Sequence, residues 1–483
     1  MGIKVILARI FLFIDVFFEI RRNKYLFFTL LSGIIFLFSF NFGMFWDNVL
    51  FTSKIGNHLY NNSIFDWMLP NNLDAGHPPT LGFLLAIFWK IFGHKLWVSH
   101  LLMVPFTIGF FYQLFQFIKF YTKSNLYSFF AFLLILVDPT LSTQFVIVNP
   151  EIIQLFLFFL AINSILHNRI QLKTISLFFL SIISLRSMLL CGGVFLFEIL
   201  NRYYFNKRKE SVLSKKLIFS YIIIGIPAIT YLLVHYISKG WLVSHVNSPW
   251  ADHRQFISFN GFIKNILVLG HKYLDFGRFI ICMLIVFVFI KYKKNVFDKK
   301  VVQLLLLSFS SVLLVIIISL LSANPFGHRY FIVSYIVLNL LSFIFMITFF
   351  RKKRVIYTLI FLTLLTGNLW VYPKKIAQGW DATLGHIPYH SLRIEAIDYL
   401  NNQKIDITNV ASFFPNNTAL DNVDFSEDKR AFISFNKKNK YAFYSNVYNL
   451  SDENLNILET NYSILKQFKK NNIIVIIYIL NEK

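Results

Sequence analysis

The sequence predicts a polytopic α-helical membrane protein of about eleven transmembrane helices, followed by a small C-terminal α/β domain. Three observations predict this. Of the 483 residues, 56% are hydrophobic and 18% aromatic, whereas a soluble chain is about 45–50% apolar. Several apolar runs reach the roughly 18–22 residues that a helix needs to cross a bilayer. They are continuous rather than alternating, which points to helices and not to the strands of a barrel. Half of the acidic residues lie after residue 373, where the long apolar runs stop.

The formal net charge is +23. In a soluble chain this would point to nucleic acid. Here the basic residues sit in short connections between apolar runs, as cytoplasmic loops do, so nucleic acid is excluded as a partner and membrane lipids are implied. The only two cysteines, Cys191 and Cys282, lie in apolar segments without metal-ligand spacing. They read as core residues.

Residues 3–20 are apolar but carry Arg9, Asp15 and Glu19, so they read as an amphipathic surface helix. The cluster Arg21, Arg22 and Lys24 then precedes a span over 25–43. Later basic clusters fall at Lys119/Lys123, Arg169/Lys173, Arg202–Lys216, Lys291–Lys300 and Arg351–Arg354. Placing all of them in the cytoplasm pairs the intervening spans. These are 97–118 with 125–138, 149–166 with 174–186, 188–205 with 216–237, 274–291 with 300–321, and 330–350 with 354–372. One orientation, with the N-terminus inside, satisfies every cluster. The outside then receives a first loop of about 44–96, short connections near 139–150 and 322–329, and a third loop over 238–272. Within the first loop, TLGFLLAIFWKIFG (80–93) is too short to span comfortably. It reads as an interfacial helix whose first turn holds Pro78 and Pro79. Trp46, Trp67, Trp97 and Trp241 read as interface-belt residues.

The transmembrane domain is thus residues 1–372 and the extracytoplasmic α/β domain 373–483. In the latter, 391–402 reads as a helix with Ser391 as N-cap. Residues 451–470 read as a helix with an acidic start and a basic end. Strands are expected at 408–414, 440–446 and 473–480.

Ionisable residues near the outer ends of spans are the functional candidates, because charge is costly near lipid unless it is paired or used. They are Asp47, Asp74, His77, Glu151, Arg186, His328 and Arg329. Asp47 follows the first span. It can take a proton from an acceptor hydroxyl or hold a metal, or it can cap a helix beginning near Val49. Glu151 opens a span after Pro150, where it complements the helix dipole and can also face a cavity. Arg186 interrupts an apolar stretch and wants an anion, either a carboxylate or a lipid phosphate. In NPFGHRYF (324–331), His328 and Arg329 are candidates for phosphate or sugar contact, with interfacial anchoring by Arg329 and Tyr330 as the structural alternative. The third loop adds Asp252, His253, Arg254, Lys272 and Arg278, with no single role indicated.

An acid just after the first span, then DAGHPPTLGFLLAIFWKIFG, VNPEIIQLFLF, SLRSMLL and GHRYFIV, resembles the dolichyl-phosphate-mannose–protein mannosyltransferase-like group. These integral-membrane glycosyltransferases have the GT-C fold and include bacterial aminoarabinose transferases. The resemblance covers about residues 20–372. It implies transfer of a sugar, with inversion, from a polyprenyl-phosphate donor to a lipid, glycan or protein acceptor. The place implied is the outer face of the bacterial cytoplasmic membrane. It implies Asp47 and Glu151 as catalytic residues. Asp74, His77, Arg186, His328, Arg329 and Tyr330 would contact substrate, with Arg186 and Arg329 holding the leaving phosphate. The chain departs from the group in two ways. Asp47 is followed by Asn48 where many members have a second acid, and Arg186 stands where many have lysine. The resemblance names no certain cofactor and leaves a divalent metal open.

Two other readings compete. A transporter or flippase of lipid-linked glycans would keep its ionisable groups near mid-membrane in repeated halves, whereas here they gather at one face and no internal repeat is visible. A non-catalytic homologue would share the motif but serve as a scaffold without transferring sugar.

Overall fold

The computed structural model describes residues 3–205, 212–247, 251, 255–323, 326–374 and 376–481. Helices occupy each of the eleven segments expected to span, from Arg21–Ser39 to Lys353–Gly367. Among the described residues, five helices are long and apolar enough to cross a membrane by length and composition: Leu96–Thr122, Leu185–Phe205, Lys215–Lys239, Lys299–Leu321 and His328–Phe349. The arrangement is that of a multi-pass membrane protein. Helix Lys215–Lys239 turns Ile222, Ile226, Ile229, Leu233 and Ile237 outward, a stripe that lipid covers at no cost and water would not.

Between the helices, phenylalanine fills the core. Phe18, Phe28, Phe111, Phe115 and Phe132 are fully or almost fully buried, with Phe18 stacked on Phe115 at 5.0 Å between ring centroids. Flat rings supply much contact area with few rotamers to freeze. Helices Leu185–Phe205 and Lys299–Leu321 meet at Gly193, where an added Cβ would lie 2.6 Å from the Ser310 carbonyl. Small residues at such a crossing let the backbones close up.

The N-terminal helix Ile3–Phe17 lies against Asn125–Leu136, with Asp15 Oδ1 accepting from the Leu126 amide at 3.0 Å. The first outer loop carries the expected short helix at Thr80–Phe92. Pro79 is its N-cap rather than a first-turn residue, so both prolines end the preceding turn instead of starting the helix. The third loop is not open throughout. Residues Phe259–Leu274 form a helix that meets Phe279–Tyr292 at a 94° bend, so the span expected from 274 begins at 279. The bend is local: Phe276 and Gly277 have positive φ, and a Cβ on Gly277 would strike the Thr363 carbonyl at 2.2 Å. Asp252, His253 and Arg254 lie outside the described residues. Trp241 is not an interface residue; it is buried, edge-on to His235 at 4.5 Å.

The C-terminal region builds a five-stranded mixed sheet from β1 (Val410–Ser412), β2 (Ile433–Ser434), β3 (Tyr441–Ser445), β4 (Tyr462–Lys470) and β5 (Ile473–Leu480), in the order β2-β1-β3-β5-β4. The helix expected over 451–470 stops at Asn461, and its second half is β4. The apolar strand β5 needs a partner on each side, and β4 supplies one across a tight hairpin at Asn471, where φ is +54°. Leu465 and Phe468 pack on the core while Lys466, Lys469 and Lys470 stay out. The helix expected from 391 begins at Pro388, which takes the first-turn place that suits proline. Ser391 is therefore inside the helix.

This region rests on the loop that follows helix Arg21–Ser39. The Met44 amide donates to the Val423 carbonyl at 2.7 Å, Asn57 donates to Asn422 at 2.8 Å, and Phe45 stacks on His386 at 4.4 Å within the same core as Trp380 and Tyr389. The docking brings residues near 380 over the helix ends where the charged candidates lie.

Candidate active site

Five separate segments meet in one charged cluster. Asp47 is held by its neighbours: Phe45 is locked under His386, and Trp46 turns with φ +52°. The following turn, Val49–Lys54, is a π-helix whose N-cap is Asn48, with no side-chain cap. Asp47 therefore does not cap a helix. Its Oδ2 accepts from Arg329 Nη2. Burial pushes its carboxyl up to about 6, against the opposing pull of the Arg329 guanidinium. The neighbouring Asp381 and Glu151 carboxylates push it the same way as burial.

Glu151 sits in the first turn after Pro150, with its amide donating to Asn149 Oδ1 at 3.3 Å. Its Oε1 accepts from Arg186 Nη2 at 2.6 Å and lies 3.5 Å from Arg329 Nε. The Arg186 guanidinium lies over the Tyr330 ring at 4.2 Å, where the π-face favours a cation. Arg329 completes the cluster with an ion pair to Asp381 Oδ2 at 3.2 Å. Three carboxylates thus surround Arg329, and Arg186 shares one of them.

Not every polar atom here is used. Arg186 Nε and Nη1 and Glu151 Oε2 are buried without a hydrogen-bond partner, an expensive condition that an additional polar ligand would relieve. These groups border a cavity of about 60 Å³ that also touches Phe51, His77 and Tyr330. Behind Arg186 and Tyr330 lies a second cavity of about 30 Å³, walled by Leu190, Val312, Val315 and Val333. Both cavities mix polar and apolar walls around one cationic centre.

His77 lines the first cavity, its Nδ1 accepting from the Leu185 amide at 3.3 Å and its carbonyl from Tyr231 at 2.9 Å. Asp74 and His328 are placed elsewhere. Asp74 is buried with His235 Nε2 at 2.9 Å and accepts from the Gly76 amide at 2.7 Å. His328 pairs with Asp275 Oδ2 at 2.8 Å, and Tyr372 donates to the same carboxylate. Sequence reasoning missed Asp381, which lies in a polar tail where one more acid carries no signal. It also missed Asp138, which caps Pro139–Gln144 and takes two bonds from Arg278 at 2.8 Å.

A divalent metal does not fit this donor set. Among the described residues no three His, Cys, Asp or Glu side chains are grouped to hold one, and the Arg329 guanidinium takes the central place among the three carboxylates.

No protein-family model matches the chain, and no curated protein matches it in sequence. Solved structures do match. ArnT from Cupriavidus metallidurans bound to undecaprenyl phosphate aligns over 95% of this chain and 98% of its own, with TM-score 0.52 and 10% identity. The same protein in the apo state aligns over 94% and 97%, with TM-score 0.49 and 10% identity. The first likeness establishes a GT-C-like fold of the ArnT kind, in agreement with the resemblance read from the motifs.

Proposed function

We propose that the chain is an inverting membrane glycosyltransferase that takes a sugar from a polyprenyl-phosphate donor at the outer face of a bacterial cytoplasmic membrane. The observation that carries this reading is the convergence of Asp47, Glu151, Arg186 and Arg329 beside two small cavities, on a fold shared with a protein crystallised with undecaprenyl phosphate.

The chemistry follows from charge. The two unpartnered donors of Arg186, flanked by Arg329, suit a phosphate whose charge grows as the sugar leaves. Leu190, Val312, Val315 and Val333 beside them offer an apolar surface to the donor next to its phosphate. Asp47, in its ionised form, accepts the proton of an acceptor hydroxyl. The hydroxyl oxygen forms its bond to the anomeric carbon from the face opposite the phosphate. The bond from that carbon to the phosphate oxygen breaks, and polyprenyl phosphate departs. Arg329 ties Asp47 to Glu151 and Asp381, so phosphate drawn toward the guanidinium weakens its hold on Asp47 at the moment a base is needed. Glu151 fixes Arg186, and His77 and Tyr330 wall the sugar site.

The test is transfer by the purified chain from a polyprenyl-phosphate sugar, with glycan and lipid profiles of cells carrying or lacking the gene. Loss of one sugar modification, restored by wild type and not by Asp47→Asn, supports the reading. An unchanged profile in a strain without a redundant paralogue, together with no transfer in vitro, rejects it.

A further inference from the structure

The end of the bundle remote from the Asp47 cluster holds a larger cavity, of about 870 Å³. It lies where helices Leu96–Thr122, Glu151–Leu166 and Leu185–Phe205 finish and Lys299–Leu321 starts. Arg186 and Arg202 are sixteen residues apart on one helix, which separates the two regions by about 24 Å, most of a bilayer core.

Its lining has two chemistries. Lys123, Arg202, Lys299 and Lys300 contribute cations, and Asp298 is the one carboxylate among the described lining residues. Asp298 is engaged, its Oδ1 accepting from the Val301 amide at 2.8 Å as the helix N-cap. Phe120, Ile165, Leu166 and Phe205 form an apolar wall.

The cations are positioned. Arg202 donates to Glu198 Oε1 at 2.7 Å, and Glu198 is in turn held by Lys173 at 2.9 Å and Tyr221 at 3.0 Å. Lys300 Nζ donates to the Tyr121 carbonyl at 2.6 Å, and Lys299 lies over the Phe205 ring at 5.1 Å. An amphiphile whose head is a phosphodiester and whose tail lies along the apolar wall matches both halves. Basic pockets between helices on the cytoplasmic side suit such heads.

We propose that this cavity is a binding site for an anionic phospholipid, separate from the sugar-transfer site and occupied from the opposite leaflet. The lipid phosphate lies among Lys123, Arg202, Lys299 and Lys300, and one acyl chain lies along Phe120, Ile165 and Leu166.

The full chain is purified, stripped of lipid and placed in nanodiscs of phosphatidylcholine with or without phosphatidylglycerol, and bound lipid is counted by native mass spectrometry. Retained phosphatidylglycerol is expected on the order of tenfold above phosphatidylcholine, falling on the order of tenfold in Lys123→Gln/Lys299→Gln. Lys352→Gln, in another exposed basic connection, is expected to leave retention unchanged. Equal loss in Lys352→Gln would mean general surface charge and overturn the site. So would full retention in a folded double variant. Displacement of the lipid by inorganic phosphate alone would reassign the cavity to a soluble anion. If the double variant fails to fold, the wild type decides: thermal stabilisation by phosphatidylglycerol and not by phosphatidylcholine supports the proposal, and equal stabilisation rejects it.

Discussion

Arg329 donates to Asp47 across 282 positions of chain, and the same guanidinium reaches Glu151 at 3.5 Å and Asp381 at 3.2 Å. One cation therefore joins the loop after helix Arg21–Ser39, the start of helix Glu151–Leu166 and the C-terminal region. Removing it leaves three carboxylates facing one another in a poorly solvated place. Arg329→Gln is expected to lower stability by about 3–5 kcal/mol and to lower transfer by about 10²-fold or more. Arg329→Lys keeps the charge but not the planar fork, so it should recover stability better than turnover. Thermal unfolding in detergent and initial rates on the same preparations separate the two effects.

Asp47 carries a pH prediction. With its carboxyl at about 6, a base that must be ionised loses activity as pH falls through that value. The acid limb of kcat/KM is expected near pH 6 and should vanish in Asp47→Asn along with most of the activity. The linkage has the opposite sign. Because the folded carboxyl is raised, the native state binds its proton more tightly than the unfolded chain. This group therefore makes the fold less stable as pH rises from about 4 to about 6, with no further change above. Unfolding temperature and activity should move in opposite directions across that window. An acid limb that survives Asp47→Asn would assign it to another group.

Much of this cluster was legible in the sequence. Asp47, Glu151, Arg186 and Arg329 announce themselves because charge beside apolar runs is rare and costly, and the loop charges place all four on one side. What the sequence could not show is who pairs with whom. Asp74 and His328 carry the same signal, yet each is consumed by a partner from a distant helix or bend, His235 and Asp275. Asp381 carries no signal, because polar residues are ordinary in the tail. The tail was also where secondary structure went wrong: Tyr462–Lys470 has the charge order of a helix end, and only the neighbouring apolar strand makes it β4. Local pattern reports burial and charge, and long-range pairing decides between structures that local pattern allows equally.

Asp74 offers a clear separation of roles. Its carboxylate is buried against His235 and the Gly76 amide, away from the cavity lining. Asp74→Asn is therefore expected to lower the unfolding temperature while leaving the donor KM of the folded fraction within about twofold of wild type, as for changes remote from bound groups. A large rise in KM with unchanged stability would instead return Asp74 to the substrate site.

Arg186 should report on the donor phosphate. Its Nε and Nη1 have no partner, whereas Nη2 is committed to Glu151. Phosphate bound by the two open donors strengthens as the leaving group gains charge, so both binding and chemistry depend on them. Arg186→Lys retains a point charge but loses the fixed, separately directed donors of the guanidinium; donor KM is expected to rise about tenfold and kcat to fall by a similar factor. Arg186→Gln also leaves Glu151 without its nearest cation and should cost a further tenfold or so. Rates measured against donors that differ only in polyprenyl length check the assignment. The penalty should be the same for short and long chains, because the guanidinium acts at the phosphate. A penalty that grows with chain length would place Arg186 along the lipid instead.

Asp381 tests whether the C-terminal domain takes part in the chemistry. It reaches Arg329 only because Trp380 is buried in the docked core and Gln144 donates to the Asp381 carbonyl at 2.8 Å. Asp381→Asn removes one of the three carboxylates on Arg329 while leaving that backbone anchor in place. The remaining charge of Arg329 then falls more heavily on Asp47, holding it ionised to lower pH and making it a weaker base. Asp47 is also relieved of a neighbouring negative charge, which acts in the same direction. The acid limb of the pH profile is therefore expected to move below 6, with a plateau rate reduced by about tenfold, the scale on which general bases respond to mistuning. A purely structural role for Asp381 would lower the unfolding temperature and leave the limb where it is. The pH profile and the melting curve of this single variant thus decide whether the tail merely covers the cavity or sets the basicity of the residue that takes the proton.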